Sequence, residues 1–467
     1  MAYNLLDKAS ILLTPTAYND GSMLSVKPNE NLYGSELVTN GDFATDSNWT
    51  KGTGWSISGG SANCDGSQSS NSGLVQQNGI LGVSLDLVVG RTYKMEFNIV
   101  VSSGFITNIE VGGNYKYPAL SSSGTYTFYF TPTSTNDRIT FTASSSFIGS
   151  IDNVSVKEGL TGDFTFSRGS AATRVNAQGL VEEITDTDIP RIDYTDGCGS
   201  WLLEPQSTNL YLNSETLSTQ SNTTSASTYT VSFYGTGTIT FSGTHTGTLV
   251  GTAADERVSA TFTATSGTLT STISGTCEKG QLEGSNGLGS FDGSYATSYI
   301  PTNGAANTRL QDIANNSGNS TLINSTEGVL YFEGSALANY NLQRFIALSD
   351  GTHNNTIKLG VLNSTTRYKI AFEVRAVGVT QAYLAYDFGA VQPTFKKCAV
   401  KYKQNDFALW IDGVEVATDT SGSVPIGLNS LRFTRGNSAQ KFEGKAKALA
   451  VFKEALTDAQ LQSLTTQ

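Results

Sequence analysis

Histidine is close to absent from this sequence, with two in 467 residues, and the four cysteines Cys64, Cys198, Cys277 and Cys398 stand far apart with no CxxC spacing. Zinc centres and dithiol redox chemistry need those residues close together, so neither is expected. A disulfide is left open, with free buried thiols as the reading taken. No apolar run could span a bilayer, and Met1 to Lys8 offers neither a long apolar core nor a small-residue cleavage site. The expectation is a soluble chain that is not Sec-exported and does not insert into a membrane. Charge is sparse too: 15% of residues are charged, the formal net charge is −11, and no Lys/Arg run breaks the pattern. Nucleic acid is not an expected partner.

What the chain has in quantity is glycine, 48 residues, abundant Ser and Thr, and aromatics at 10%. Disordered chains are poor in aromatics, so this composition reads as β-sheet with many turns. The length exceeds one usual domain, and three or four are expected. Runs such as Tyr93 to Val100, Tyr126 to Phe130 and Arg138 to Thr142 alternate apolar and polar residues between Gly/Ser turns, the pattern of two-sheet antiparallel sandwiches. Tyr229 to Phe233, Thr238 to Phe241 and Val258 to Phe262 repeat it in a shortened copy without tryptophan, a better spacer than ligand binder. Phe407 to Val416 is a hairpin with an Asp-Gly turn, and Thr457-Asp458-Ala459-Gln460 caps a short terminal helix ending near Leu464. The predicted fold class is all-β: antiparallel β-sandwiches (jelly rolls) joined by a β-hairpin connector, with one C-terminal helix. The division is 1–33, an N-terminal docking segment; 34–159, a first jelly roll; 160–213, the connector; 214–302, the spacer sandwich; and 303–467, a terminal jelly roll.

The first segment has too little apolar surface to fold alone, so Ile11 to Thr16 must dock on a later domain, a sister subunit or an external partner. The connector alternates at Asp163 to Arg168, predicts a hairpin through Asn176 to Gly179, and carries Arg168 and Arg174, which are solvated in the plainest reading. Asn303 to Asn307 reads as a hinge.

Four resemblances sit on these residues. "DFTFSRGSAATRVNAQGLVEE" followed by "PRIDY" and "LLEPQSTNLYLNSE" resembles a segment shared by structural proteins of tailed bacteriophages, especially fibres, and more narrowly head fibres of crAss-like phages. The opening "MAYNLLDKASILLTPTAYNDGSMLSVKP" is similar to the virion-proximal end of fibre-like proteins in which "SVKP" can lead directly into "GDFTFSR"; here Glu36 to Glu158 lies between them. That span, bracketed by "NGDF…W" and "IDNVSV", resembles carbohydrate-binding modules with a jelly-roll fold. "AVKYKQNDFALWIDGVEVA…GKAKALAVFKEALTDAQLQSLT" resembles the laminin-G/concanavalin-like family.

The module resemblance implies a structural calcium between Asn40 or Asp42 and Asp152, oxygen ligands of the kind calcium takes; the alternative is that Asp42 and Asp152 cap turns. Sugars stack their C–H faces on exposed aromatics. Trp49, Trp55, Tyr115 and Tyr117 are the candidates, beside Asn114, although either tryptophan singly reads better as an end plug of the sandwich. In the terminal region a glycosidase would need two close carboxylates. Glu373 has only Arg375 two residues on and no acidic partner, so it reads as a surface ion pair, and Trp410 reads as core. The resemblances imply a non-enzymatic virion protein of a tailed phage, made in the host bacterial cytoplasm. It would be a fibre, head fibre favoured, docked by its N-terminal end on capsid or tail proteins, trimeric, and displaying sandwiches to cell-surface glycans. Alternatives are a tail fibre or receptor-binding protein, a polysaccharide depolymerase, or a pure spacer.

Overall fold

Alternation decides the local structure. In Tyr93–Ser103 the residues Tyr93, Met95, Phe97 and Ile99 are buried and those between them are not. A strand with one apolar face must lie on a second sheet, and this recurs along the chain. The computed structural model describes residues 5–27, 33–77, 79–81, 85–88, 91–112, 115–117, 119–132, 138–159, 162–285, 291–337, 343–364, 367–390 and 394–466. They form two compact units: Asn31–Leu160, and Met1–Glu30 together with Thr161–Gln467. Every strand pairing among the described residues is antiparallel. None of the described helices is long and apolar enough to cross a membrane.

The Asn31–Leu160 unit is a sandwich. One sheet runs in the order Gly124–Phe130, Tyr93–Ser103, Ile148–Gly159, Ser61–Asp65, Trp55–Ser58, with Tyr33–Glu36 beside the last residues of Ile148–Gly159. The other runs Tyr115–Tyr117, Ile106–Val111, Arg138–Ala143, Ser72–Gln77, Thr50–Lys51. Phe43, Trp49, Phe97, Phe141 and Phe147 fill the space between them.

The other unit holds two sandwiches. The terminal one has a large sheet in the order Ile192–Asp193, Ser200–Leu203, Gly444–Phe452, Glu327–Ala336, Lys396–Lys403, Asp406–Ile411, Val414–Asp419. Facing it is a small sheet in the order Val379–Asp387, Arg367–Ala376, Thr356–Ser364, Gln343–Ser349, Ser430–Arg432. The Asp412-Gly413 turn has φ of 47° and 82°, the left-handed pair that a two-residue hairpin requires. Trp410 is buried, and the helix Asp458–Thr466 is closed by reciprocal Thr457 and Gln460 bonds. The shortened sandwich stacks Gln220–Thr224, Gly267–Ser274, Thr238–Gly243 and Gly247–Val250 on Ala253–Ala264, Ser227–Gly235 and Glu278–Gly284.

Three expectations are redrawn. The N-terminal segment is no free arm: Ile11–Leu13 pairs with Gly444–Phe452, so of the three docking places a later domain is the one observed. Ile11 and Leu13 are fully buried there, which an isolated three-residue strand could never achieve. The connector is not a separate linker either. Its hairpin Ala172–Val175 with Val181–Ile184 forms as read, but Phe164–Ser167 is sandwiched between Ser22–Met23 and Ile313–Asn315, and Ser200–Leu203 extends the large sheet. The expected hinge is pinned, since Asn303 bridges Asn213 and Asn307–Arg309 pairs with Ser207–Asn209.

A buried charge cluster closes the neck where the chain enters and leaves the shortened sandwich. Asp312 accepts from Arg168 (3.1 Å), Arg191 (2.5 Å) and the Glu204 N–H (2.8 Å). Glu204 lies 2.8 Å from both Arg191 and Arg309 and accepts from Ser298. Arg168 is therefore buried rather than solvated, while Arg174 pairs with Glu182 at 3.0 Å. Burial pushes the Glu204 carboxyl up, but Arg309, Arg191 and Ser298 outweigh it and hold the group at about 2. All four cysteines are free; three are buried as expected, and Cys198 is exposed.

Candidate functional site

The tryptophans proposed as sugar platforms are core residues. Trp49 is 3% exposed, tilted against Phe43 and Phe141, and its Nε1 donates to the Asn40 carbonyl. Trp55 is 7% exposed beside Phe147, with Nε1 donating to Ser72 O. Neither presents a ring face to a ligand, and the end-plug alternative describes them. Tyr115 and Tyr117 share one face of the edge strand Tyr115–Tyr117; their side chains, and Asn114, lie outside the described residues.

The calcium set does not fit a cation. The Asn40–Asp42 turn does lie beside the strand of Asp152, through the Val154 N–H to Gly41 O bond. But Asn40 Nδ2 donates to the carbonyls of Thr45 (2.7 Å) and Ser47 (2.9 Å), so an amide gathers the oxygens a metal would collect, and its Oδ1 accepts the Thr45 N–H. Asp42 accepts from Ala44 N–H, and Asp152 takes both the N–H and the amide of Asn153. These are turn caps. Among the described residues no group of three or more His, Cys, Asp or Glu could share a metal.

The arrangement with unspent binding capacity is on the outer face of the small terminal sheet. Cross-strand register sets Arg432, Ala347, Lys358, Glu373 and Tyr383 in one row, and Ser430, Ser349, Thr356, Arg375 and Thr380 in or beside the next. Directly opposed residues share a face, so side chains distant in sequence converge. The opposite face, with Ile346, Leu359, Phe372 and Val374, is core. Lys358 Nζ lies 2.8 Å from Glu373 and 5.1 Å from the Phe345 ring centroid. Arg375 Nη1 lies 3.3 Å from Glu373 and donates to Thr380 Oγ1 at 3.1 Å, while Nη2 donates to Gly378 O.

A loop then presses onto this face. Ser349 Oγ donates to Gly436 O, and Gly436 has φ of 105° with any added Cβ only 2.5 Å from Thr356 Cγ2, so glycine alone permits the approach. The loop delivers Arg435. His353, from the Asp350 to Asn355 loop, stands near Lys358, Arg435 and Arg375; burial first, then those three cations, lowers its imidazole to about 4 and leaves it neutral at pH 7. Burial pushes the Glu373 carboxyl up, but Lys358, Thr380 and Arg375 outweigh it, so it stays ionised below the usual range. Asp350 is turned into its own loop, accepting from Thr352 and Asn355.

Lys358 and Arg375 thus flank one carboxylate, Glu373, while Arg435 stands near Lys358 and His353 and Arg432 sits two strands from Lys358 in the same row, in a chain of net charge −11. The Nε atoms of Arg375, Arg432 and Arg435, Nδ1 of His353 and Oγ1 of Thr356 are buried with no hydrogen-bond partner. Each such group costs about 1–3 kcal/mol until an acceptor or donor meets it. Tyr383, 54% exposed, ends the row beside Glu373, with Val377 and Val379 exposed nearby. The chemistry suits a carboxylate on the guanidiniums, a hydroxyl on Glu373 and a sugar C–H face on Tyr383. Neither row sets a second carboxylate beside Glu373. Sequence reading paired Glu373 with Arg375 correctly, but as a surface contact; it missed Lys358, Arg432 and Arg435, which only register and the loop bring near.

Comparison with a family model bears on this region. Residues 335–462 match the laminin G-type family described as the Concanavalin A-like lectin/glucanases superfamily. This stretch has a concanavalin-like fold. No curated protein sequence matches the chain. Similar solved structures include the Ruminococcus gnavus IT-sialidase CBM40 bound to α2,3 sialyllactose, at 17% identity and TM-score 0.26, covering 32% of this chain and 86% of that one. The leech intramolecular trans-sialidase complexed with 2,7-anhydro-Neu5Ac is 20% identical at TM-score 0.24, covering 31% of this chain and 24% of that one. The Limulus polyphemus SAP-like pentraxin is 12% identical at TM-score 0.24, covering 30% and 70%. The bound sialosides belong to those proteins.

Proposed function

We propose that this chain is a non-enzymatic glycan-recognition protein whose terminal sandwich takes a carboxylated sugar. The observation that carries the reading is the cluster of buried, unpartnered Arg and His nitrogens around Lys358 and Glu373 in an otherwise acidic chain. Wild-type protein is expected to bind 3′-sialyllactose and a glucuronate trisaccharide, to ignore lactose, and to bind more weakly as salt is raised. Arg375→Ala removes charge-assisted hydrogen bonds of about 1.5–3 kcal/mol and is expected to weaken binding about tenfold to a hundredfold, read by isothermal titration. Equal binding of lactose, or an unaffected Arg375→Ala variant, overturns the reading.

We further propose that the protein is displayed on a tailed-phage particle as a trimeric fibre, attached to the head. The support is the fibre-like segment from Asp163 to Glu215 and the succession of sandwich domains. Because Ile11–Leu13 is built into the terminal sandwich, the attachment surface must include folded domain and not an extended arm alone. Electron cryo-microscopy of the intact particle is expected to place the chain on the capsid. Density in the tail moves it to host adsorption, and absence from the particle overturns the virion part while leaving the sugar site to its own test.

A further inference from the structure

The shortened sandwich encloses a reactive arrangement, independent of the cationic site. Gln281 and Glu283 sit two apart on the strand Glu278–Gly284, so their side chains leave the same face. Both are fully buried, and Thr297, from the segment that leaves the sandwich, is 1% exposed against them. Strand register sets Ser232 beside Gln281 and Thr230 beside Glu283. Arg257 ties the leaving segment down, donating to the Thr297 carbonyl at 2.7 Å and to Ser232 Oγ at 2.8 Å. Glu204 holds the next residue through the Ser298 N–H and hydroxyl.

The three side chains touch one another, and their partners fix which atom faces which. A carboxylate only accepts, so the Thr297 hydroxyl donates to Glu283 Oε1, at 2.5 Å, while Glu283 Oε2 takes the Thr297 N–H at 3.0 Å. Ser207 adds a second hydroxyl to Glu283 at 2.5 Å. The Ile300 N–H donates to Gln281 Oε1 at 2.6 Å, which leaves Gln281 Nε2 facing the carbonyls of Thr297 and Ser298, both at 3.2 Å, and Thr297 Oγ1 at 3.4 Å. Three acceptors crowd two amide protons. The constellation is a hydroxyl nucleophile on a carboxylate base, beside an amide whose carbonyl oxygen already holds a backbone donor. Thr297 Oγ1 lies 3.4 Å from the nitrogen bonded to the amide carbon, and a small turn of the Gln281 amide brings that carbon to it. Groups held this close, at about 3–3.5 Å, react as one molecule and need only align.

We infer that Thr297 and Gln281 join in an internal ester that crosslinks the leaving segment to the strand Glu278–Gly284. Glu283 takes the Thr297 proton as Oγ1 attacks Gln281 Cδ, and the Ile300 N–H steadies the oxygen that becomes negative. The Cδ–Nε2 bond then breaks, and Nε2 receives the proton from Glu283 and leaves as ammonia. Nothing is oxidised or reduced, and no co-reactant enters. Loss of ammonia to solvent draws the exchange forward, and burial of all three residues keeps water from the ester.

Mass spectrometry of the intact full chain is the test. Wild type is expected to weigh one ammonia less than its sequence, with the proteolytic fragments that hold Gln281 and Thr297 joined, and parted by hydroxylamine. Thr297→Val and Glu283→Gln are expected at full sequence mass, while Thr297→Ser, which keeps the hydroxyl, loses the ammonia as wild type does. Circular dichroism confirms the fold of each variant; if Thr297→Val is unfolded, the wild-type fragment map alone decides. Full mass for wild type overturns the ester, and so does an ammonia loss that folded Thr297→Val retains or that the fragment map places at an asparagine.

Discussion

Asp312→Ala is expected to destabilise its unit by about 3–5 kcal/mol, the usual consequence of stranding a buried charge. Asp312 is 3% exposed, accepts from two guanidiniums and one backbone N–H and lies 3.9 Å from a third guanidinium, Arg309, so its removal leaves Arg168 and Arg191 short of a counter-charge in a buried site. Arg191 depends on it most: burial disfavours its charged form, and Asp312 and then Glu204 more than offset that. Because these groups join the connector to both ends of the shortened sandwich, the loss spreads beyond the site. Urea denaturation followed by circular dichroism is expected to show an earlier transition for Asp312→Ala, with Asp312→Asn intermediate because it keeps the shape and one acceptor. A change under about 1 kcal/mol would mean that the cluster is hydrated and behaves like a surface network.

Trp49→Ala is expected to destabilise the Asn31–Leu160 unit by about 3–5 kcal/mol, through lost contacts and the cavity left against Phe43 and Phe141. It also frees the Asn40 carbonyl from its Nε1 partner, loosening the turn that Asn40 holds to Thr45 and Ser47. Differential scanning calorimetry is the measurement. A sugar-stacking Trp49 would give the opposite signature, lost affinity with melting unchanged, and that outcome would return it to the list of ligand residues.

How far each site was legible follows from what kind of information it needs. Trp49 was read both ways, as platform and as plug, because its neighbours in sequence are polar turn residues; the contacts that bury it come from Phe43 and Phe141, the second on another strand. Gln281, Glu283 and Thr297 were not singled out at all. Leu282 points into the core, so alternation sends both of its neighbours outward, and Thr297 lies 14 residues beyond Glu283. The one signal available was parity: residues two apart on a strand share a face, so Gln281 and Glu283 stand together.

What the sequence by itself determined is local: the alternation that makes strands, the Asp412-Gly413 turn and the Thr457 to Gln460 cap. Such features depend on residues a few positions apart, whose spacing dictates face and backbone conformation. The tertiary structure alone decided which strands are neighbours and in what register. That choice buries Arg168, seats Ile11–Leu13 and Ser200–Leu203 along one edge of Gly444–Phe452, and aligns Arg432, Lys358, Glu373 and Tyr383 in a single row. Periodicity says that a side chain faces in or out; only long-range pairing says what stands beside it.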